Sequence, residues 1–131
     1  MRPLDLIDSY EKALYEVFGY GYLKPGHSSK DIDQLLRSKG CATGCLITPV
    51  NPMSQPQPMD VQRKRIRQFL KSHPEAIRGE NNSPDKDPKW SEPSFFLPGI
   101  DKNEALSLAE TWGQSACIFY SIENGASILW T

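Results

Sequence analysis

The chain has no long apolar run, few histidines and cysteines, and no surplus of charge of either sign, and each shortage removes a class of function. A spanning helix needs ~20 consecutive apolar residues, and nothing in the 131 residues approaches that. The first residues, Met-Arg-Pro-Leu-Asp-Leu-Ile-Asp, put acids where a signal sequence needs an apolar centre. The expectation is a cytoplasmic protein that makes no membrane contact. Fifteen Lys plus Arg against sixteen Asp plus Glu give a formal net charge of -1, so nothing draws the whole surface to nucleic acid. Three cysteines, an odd number, suit a reducing compartment better than a disulfide framework, although Cys41 and Cys45 are near enough in sequence to approach each other. Cys41-x-x-x-Cys45 has no second pair, and neither His27 nor His73 shows ligand spacing to a partner, so no metal site is expected. Glycine-rich phosphate loops and nucleophile elbows are missing too. No cofactor is expected.

What is present is a clear alternation of helix and strand signals. Leu4, Ile7, Leu14 and Val17, with Tyr10 and Ala13, recur at helical spacing and predict an amphipathic helix from Leu4 to Val17. Phe18-Gly-Tyr-Gly-Tyr-Leu23 suits a short extended arm, and Ser28 or Ser29 can cap a helix over 30–38. Cys41 to Thr48 reads as a buried strand, entering a loop with four prolines between Pro49 and Pro58. Met59 to His73 forms a helix whose one side is apolar and whose other side carries Arg63, Lys64, Arg67 and Lys71. Gln62 sits awkwardly on the apolar side. Glu75 to Arg78 reads as a short strand, and residues 79–89, rich in Asn, Asp, Ser, Pro and Lys, read as a mobile loop. A strand over 94–97 follows. Asp101 with Glu104 predicts a capping box for the next helix, and Ser115 to Ser121, Asn124-Gly125 and Ala126 to Trp130 predict a hairpin. The order after the N-terminal helices, β-α-β-β-α-β-β, predicts an α+β fold: a ferredoxin-like split β-α-β sandwich with N-terminal helices and a C-terminal β-hairpin. The whole chain, 1–131, is expected to be one domain, with 1–40 as a helical extension and 41–131 as the α+β core.

Three segments taken together resemble the small bacterial proteins of domain-of-unknown-function family 3293. They are Ile47-Thr48-x-x-Asn51-Pro52-x-Ser54, Glu92-Pro93-Ser94-Phe95 with Gly99-Ile100, and Ala105-Leu106-x-Leu108-Ala109 with Trp112-Gly113-Gln114-x-Ala116. The likeness runs from Asp31 to Trp130. It implies a bacterial, cytoplasmic, single-domain protein and supplies no catalytic residues. Gln62 and Arg65 stand where family members tend to carry Asn and Arg, and Thr48-Pro-Val-Asn51 replaces a Thr-Ala-x-Asn run.

The residues singled out as a binding constellation are Thr48, Asn51, Ser54, Gln62, Arg65, Glu92, Ser94 and Gln114. Amides, hydroxyls, one carboxylate and one guanidinium at element ends can recognise a small polar ligand or a partner protein by convergent hydrogen bonds. The architectural account of the same residues has Asn51 building an Asx turn, Glu92 pairing with Arg65, and Gln114 capping a helix end. The leading expectation is a non-enzymatic binding module. The alternatives are a small hydrolase or transferase using Glu92 as acid/base, for which no catalytic companion is named, and an interaction module using the basic helix face over 63–71.

Overall fold

The computed structural model of the protein describes residues 4–83 and 90–131. Its elements are α1 (Leu4–Lys12), β1 (Leu14–Val17), β2 (Gly21–Leu23), α2 (Lys30–Ser38), β3 (Thr43–Ile47), α3 (Met59–Ser72), β4 (Ile77–Ser83), β5 (Trp90–Pro98), α4 (Lys102–Thr111), β6 (Ala116–Ser121) and β7 (Gly125–Trp130). The fold is α+β. Among the described residues, seven strands form one sheet in the order β2-β1-β4-β5-β3-β6-β7, every neighbouring pair antiparallel. Side chains alternate across a strand, so β3 sends Leu46 to one face and Cys45 and Ile47 to the other. Leu46 joins Tyr15, Val17, Phe96, Ile118 and Tyr120 beneath α2, whose Ile32, Leu35 and Leu36 are buried there. Cys45 and Ile47 join Phe95, Leu97 and Cys117 beneath α3 and α4, which contribute Phe69, Ala105 and Ala109.

Local signals produced the elements they predict. Ser29 accepts from the amide of Ile32 at 3.2 Å and caps α2. Asp101 and Glu104 form both bonds of the capping box that opens α4. The C-terminal hairpin pairs Ala116 with Trp130 and Ser121 with Gly125.

The N-terminal region differs from its expectation. Apolar spacing runs on to Val17, yet α1 ends at Lys12, and Leu14–Val17 is a strand set between β2 and β4. Tyr15 and Val17 point into the core while Glu16 points away, so a period of two over four residues prevails over a helical pattern that fits the same letters. Phe18 to Leu23 contributes β2 only over Gly21–Leu23. The segment expected as a loop, 79–89, divides: 79–83 belong to β4, and 84–89 lie outside the described residues. Correspondingly, β5 begins at Trp90 rather than Ser94, with Ser83 opposite Trp90 and Asn81 opposite Glu92. Gly79 permits this pairing. A Cβ there would stand 2.2 Å from the Glu16 carbonyl oxygen, so the close approach of β1 to β4 requires glycine. Cys41 packs against the α2 side of the sheet and Cys45 lies on the α3 and α4 side, where Cys117 is its neighbour.

Candidate functional site

The Asn-Pro loop after β3 has an unusual backbone. Asn51, Met53 and Ser54 all adopt positive φ, at 52°, 55° and 59°, a region that costs a non-glycine residue about 1–2 kcal/mol. The surroundings hold it there. Met53 N–H donates to the Gly113 carbonyl at 2.8 Å, and Pro52 packs so closely on Gly113 that a Cβ on the glycine would come within 2.9 Å. Arg65, reaching from α3, donates through Nε to the Pro49 carbonyl at 2.5 Å and through Nη2 to the Trp112 carbonyl at 2.8 Å. Its guanidinium also lies 5.2 Å from the centre of the Trp112 ring. Gln114 Nε2 donates to the Val50 carbonyl at 2.9 Å and lies 3.3 Å from that of Trp112. Arg65 and Gln114 thus bind the loop to the end of α4 by satisfying carbonyls that neither segment pairs internally. Burial lowers the Arg65 pKa, because desolvation disfavours the cation.

Asn51 is buried, and its side chain works in two directions. Its Oδ1 accepts from the Gln57 amide at 3.0 Å, while its own N–H donates to Gln57 Oε1 at 3.2 Å. Its Nδ2 donates to Glu92 Oε2 at 3.1 Å. The contact to Gln57 spans six residues, longer than an Asx turn, and Glu92 pairs with Asn51 rather than with Arg65. Gln62 Nε2 donates to the Gln57 carbonyl at 2.8 Å, which explains a polar residue on the inner side of α3. Thr48 Oγ1 accepts from Val50 N–H at 3.3 Å.

Glu92 occupies one row across three strands. Tyr15 on β1 stands opposite Asn81 on β4, and Asn81 stands opposite Glu92 on β5. Asn81 Nδ2 donates to Glu92 Oε1 at 3.4 Å. Asn81 Oδ1 is buried and accepts no hydrogen bond among the described residues. Over this row passes α1, leaving a cleft of about 130 Å³ bounded by Leu6, Tyr10 and Ala13 above and by Tyr15, Asn81 and Glu92 below, with Ser54 and Trp90 at its sides. Tyr15 Oη donates to the Tyr10 carbonyl, tying the sheet to the end of α1. Burial pushes both phenols above their ordinary range: the Ser54 hydroxyl opposes this at Tyr10 and the nearby Glu92 carboxylate adds to it at both. Both are therefore neutral hydrogen-bonding groups.

The eight expected residues therefore part into three sets. Glu92 and Ser54 line the cleft, and Asn51 holds Glu92 from behind. Thr48, Gln62, Arg65 and Gln114 shape the loop. Ser94 is 0 % exposed, one step inward of Glu92 on the same face of β5, and its Oγ has no hydrogen-bond partner among the described residues. Tyr10, Tyr15, Asn81 and Trp90 escaped the sequence reading. Asn81 fell inside the presumed loop, Tyr10 matched a helical stripe, and Tyr15 lay within the same predicted helix off that stripe. Alternation over Ile77, Gly79, Asn81 and Ser83 was the available signal.

Parts of the three resemblance segments, Thr48 to Ser54, Glu92 and Trp112 to Gln114, meet at this end of the sheet. A model of the family described as "Protein of unknown function (DUF3293)" matches residues 47–117, just over half of the chain. The chain belongs to this family. No curated protein and no solved structure gave a match. In this DUF3293 protein the matched residues include Asn51, Asn81 and Glu92, whereas Leu6, Tyr10, Ala13 and Tyr15, on the facing side of the cleft, precede them. Elsewhere, Arg63, Lys64, Arg67 and Lys71 are exposed on α3. Among the described residues no group of three His, Cys, Asp or Glu is placed to hold a metal ion, and no helix is long and apolar enough to cross a membrane. The Cys117 thiol beside it, and then burial, push the Cys45 thiol up, away from thiolate chemistry.

Proposed function

We propose that this protein is a non-enzymatic binding module that takes a small polar ligand in the cleft between α1 and the β1-β4-β5 row. The observation that carries this reading is the setting of Glu92, a carboxylate fixed by one amide on each oxygen at the wall of a concave, partly aromatic site. Convergent polar groups in a largely apolar concavity are the usual make-up of a small-molecule site. A screen of nucleotides, sugars and amino acids by thermal unfolding tests it. A ligand present at about 100 times its dissociation constant raises stability by about 2.7 kcal/mol. No shift across the panel, and none of its compounds perturbing the Trp90 indole resonance, would overturn the reading.

The alternative, a small hydrolase or transferase with Glu92 as acid/base, keeps the concave setting that it needs. Its difficulty is the company: the other described lining groups are phenols, hydroxyls, one amide and apolar side chains, with no second carboxylate, histidine or thiol to share proton transfer. We further propose a single cytoplasmic domain with a ferredoxin-like centre. The order β4-β5-β3-β6, with α3 and α4 packed on one face, supports that reading.

A further inference from the structure

Independently of the cleft, and on the opposite face of the sheet, α3 and α4 leave part of the surface uncovered. The core beneath these helices draws on β3, β5, β6 and β7 and, among the described residues, takes nothing from β1, β2 or β4. Glu16 lies opposite Glu80 across β1 and β4 and opposite Tyr22 across β1 and β2, so the bare strands bring two carboxylates face to face. Like charges set directly opposite destabilise a sheet. Glu80 accepts from the Ser91 hydroxyl, but among the described residues no Lys or Arg pairs with either carboxylate. Arg78, at the border with α3, is instead turned to the rings of Phe18 and Phe95, 6.0 and 5.5 Å from their centres. Among the described residues, Leu14, Phe18, Tyr20 and Tyr22 are four of the eight exposed large hydrophobics, and apolar surface gathered in this way marks an interaction site. The other side of that border is complementary. Five of the chain's 15 Lys and Arg lie in α3 against one acid, Asp60, and the outward Arg63, Lys64, Arg67 and Lys71 have no carboxylate within ion-pair reach among the described residues. Met59 and Val61 add exposed apolar surface to the same helix. A helix stands about 10 Å proud of the sheet it covers, so α3 and the bare strands form a step. Two such steps interlock about a two-fold axis, each copy offering both halves of the contact, which is the self-complementary surface that a closed dimer requires.

We propose that this protein forms a two-fold dimer in which α3 of each copy lies across β1 and β4 of the other, the cations of the helix meeting Glu16 and Glu80 and its exposed apolar residues meeting Leu14 and Tyr22. Sedimentation of the full chain over a range of concentrations tests it. The wild type is expected to pass from monomer to dimer and to stop there. Its dissociation constant is expected to rise about tenfold between about 0.1 M and about 1 M salt, as the screening length falls from about 10 Å to about 3 Å. Glu16→Arg with Glu80→Arg, and separately Arg63→Glu with Arg67→Glu, set like charges against each other at both contacts and are each expected to leave monomers. Mixed in equal amounts, the two reversed chains face opposite charges at both contacts and are expected to dimerise again, a recovery that no effect on folding imitates. A wild type still monomeric at about 1 mM overturns the proposal. So does growth beyond two copies, a dimer that persists in both reversed chains, or a mixture that stays monomeric. Should either reversal fail to fold, Glu16→Gln with Glu80→Gln and Arg63→Gln with Arg67→Gln take their place, each expected to weaken the dimer about tenfold, and an unchanged dissociation constant in both overturns the proposal.

Discussion

Asn51 and Glu92, 41 residues apart, are joined by a 3.1 Å hydrogen bond from amide to carboxylate, and through it the loop after β3 is locked to the first half of β5. The same amide is held from its other end by Gln57. A cleft-lining carboxylate is thereby positioned by a loop whose own shape depends on Arg65, Gln114 and Gly113. The site's geometry is consequently a property of the α4–β6 junction as much as of β5, and preorganisation of this kind is what limits the entropy lost when a ligand binds.

Asn51→Ala tests that coupling. It removes one side-chain bond to Gln57 and one to Glu92, and it puts alanine at a positive φ that asparagine tolerates better. The expected loss is about 1–3 kcal/mol of unfolding free energy by denaturant titration. Asn51→Gly keeps the backbone permissive while deleting the same bonds. If the glycine variant recovers full stability, backbone strain and not the amide network accounts for the effect.

Gly79→Ala tests the pairing of β1 with β4. The new methyl would lie 2.2 Å from the Glu16 carbonyl oxygen, a backbone atom that cannot swing aside. A loss of about 3 kcal/mol is expected, at the upper end for overpacking, with amides of 14–17 and 79–82 losing hydrogen-exchange protection first. Unchanged protection there would contradict the strand register Val17 to Gly79.

Alkaline stability is expected to depend on Tyr120. Its hydroxyl lies 2.6 Å from Asp33 Oδ1 and accepts from the Ser29 amide at 2.8 Å, tying β6 to the start of α2. Burial, then the bond to Asp33, pushes its pKa up to about 12 from an ordinary 10.0. The folded state therefore keeps a proton that the unfolded chain releases. The contribution is complete below the unfolded value and is lost as pH rises through about 12. Tyr120→Phe should be less stable at neutral pH and should flatten the alkaline limb of the stability profile. An alkaline limb as steep as that of the wild type would show that another group controls it.

These residues show why part of the molecule was legible in the sequence and part was not. Asp101 with Glu104, Ser29 before α2, and Asn124-Gly125 between β6 and β7 act over a few residues, so their chemistry is complete within the string. Leu14–Val17 and the 79–83 part of β4 become strands only because they pair with each other and with β5; the letters alone fit a helix end and a loop there, and signal a strand only as far as Arg78. At the site, opposite charge made Glu92 and Arg65 an obvious pair. The guanidinium instead answers the carbonyls of Pro49 and Trp112, because α3 presents it to the loop and the α4 terminus, while β5 carries Glu92 to the amides of Asn51 and Asn81.

Ser94→Ala separates site from core. The hydroxyl is fully buried and makes no hydrogen bond among the described residues, so its deletion removes a desolvated polar group and breaks no described interaction. Stability is expected to stay level or to rise by up to about 1 kcal/mol. Ser94→Val, which fills the same space with an extra methyl beside Gly79 and Val17, is expected to cost about 1–3 kcal/mol. Binding in the cleft should survive Ser94→Ala, since the side chain lies one step inward of the lining. A fall in stability of more than about 1 kcal/mol on Ser94→Ala would mean that the hydroxyl has a bonding partner in the folded chain. Loss of ligand binding with stability intact would instead extend the site down β5, and the depth of the cleft beneath Glu92 would then have to include Ser94.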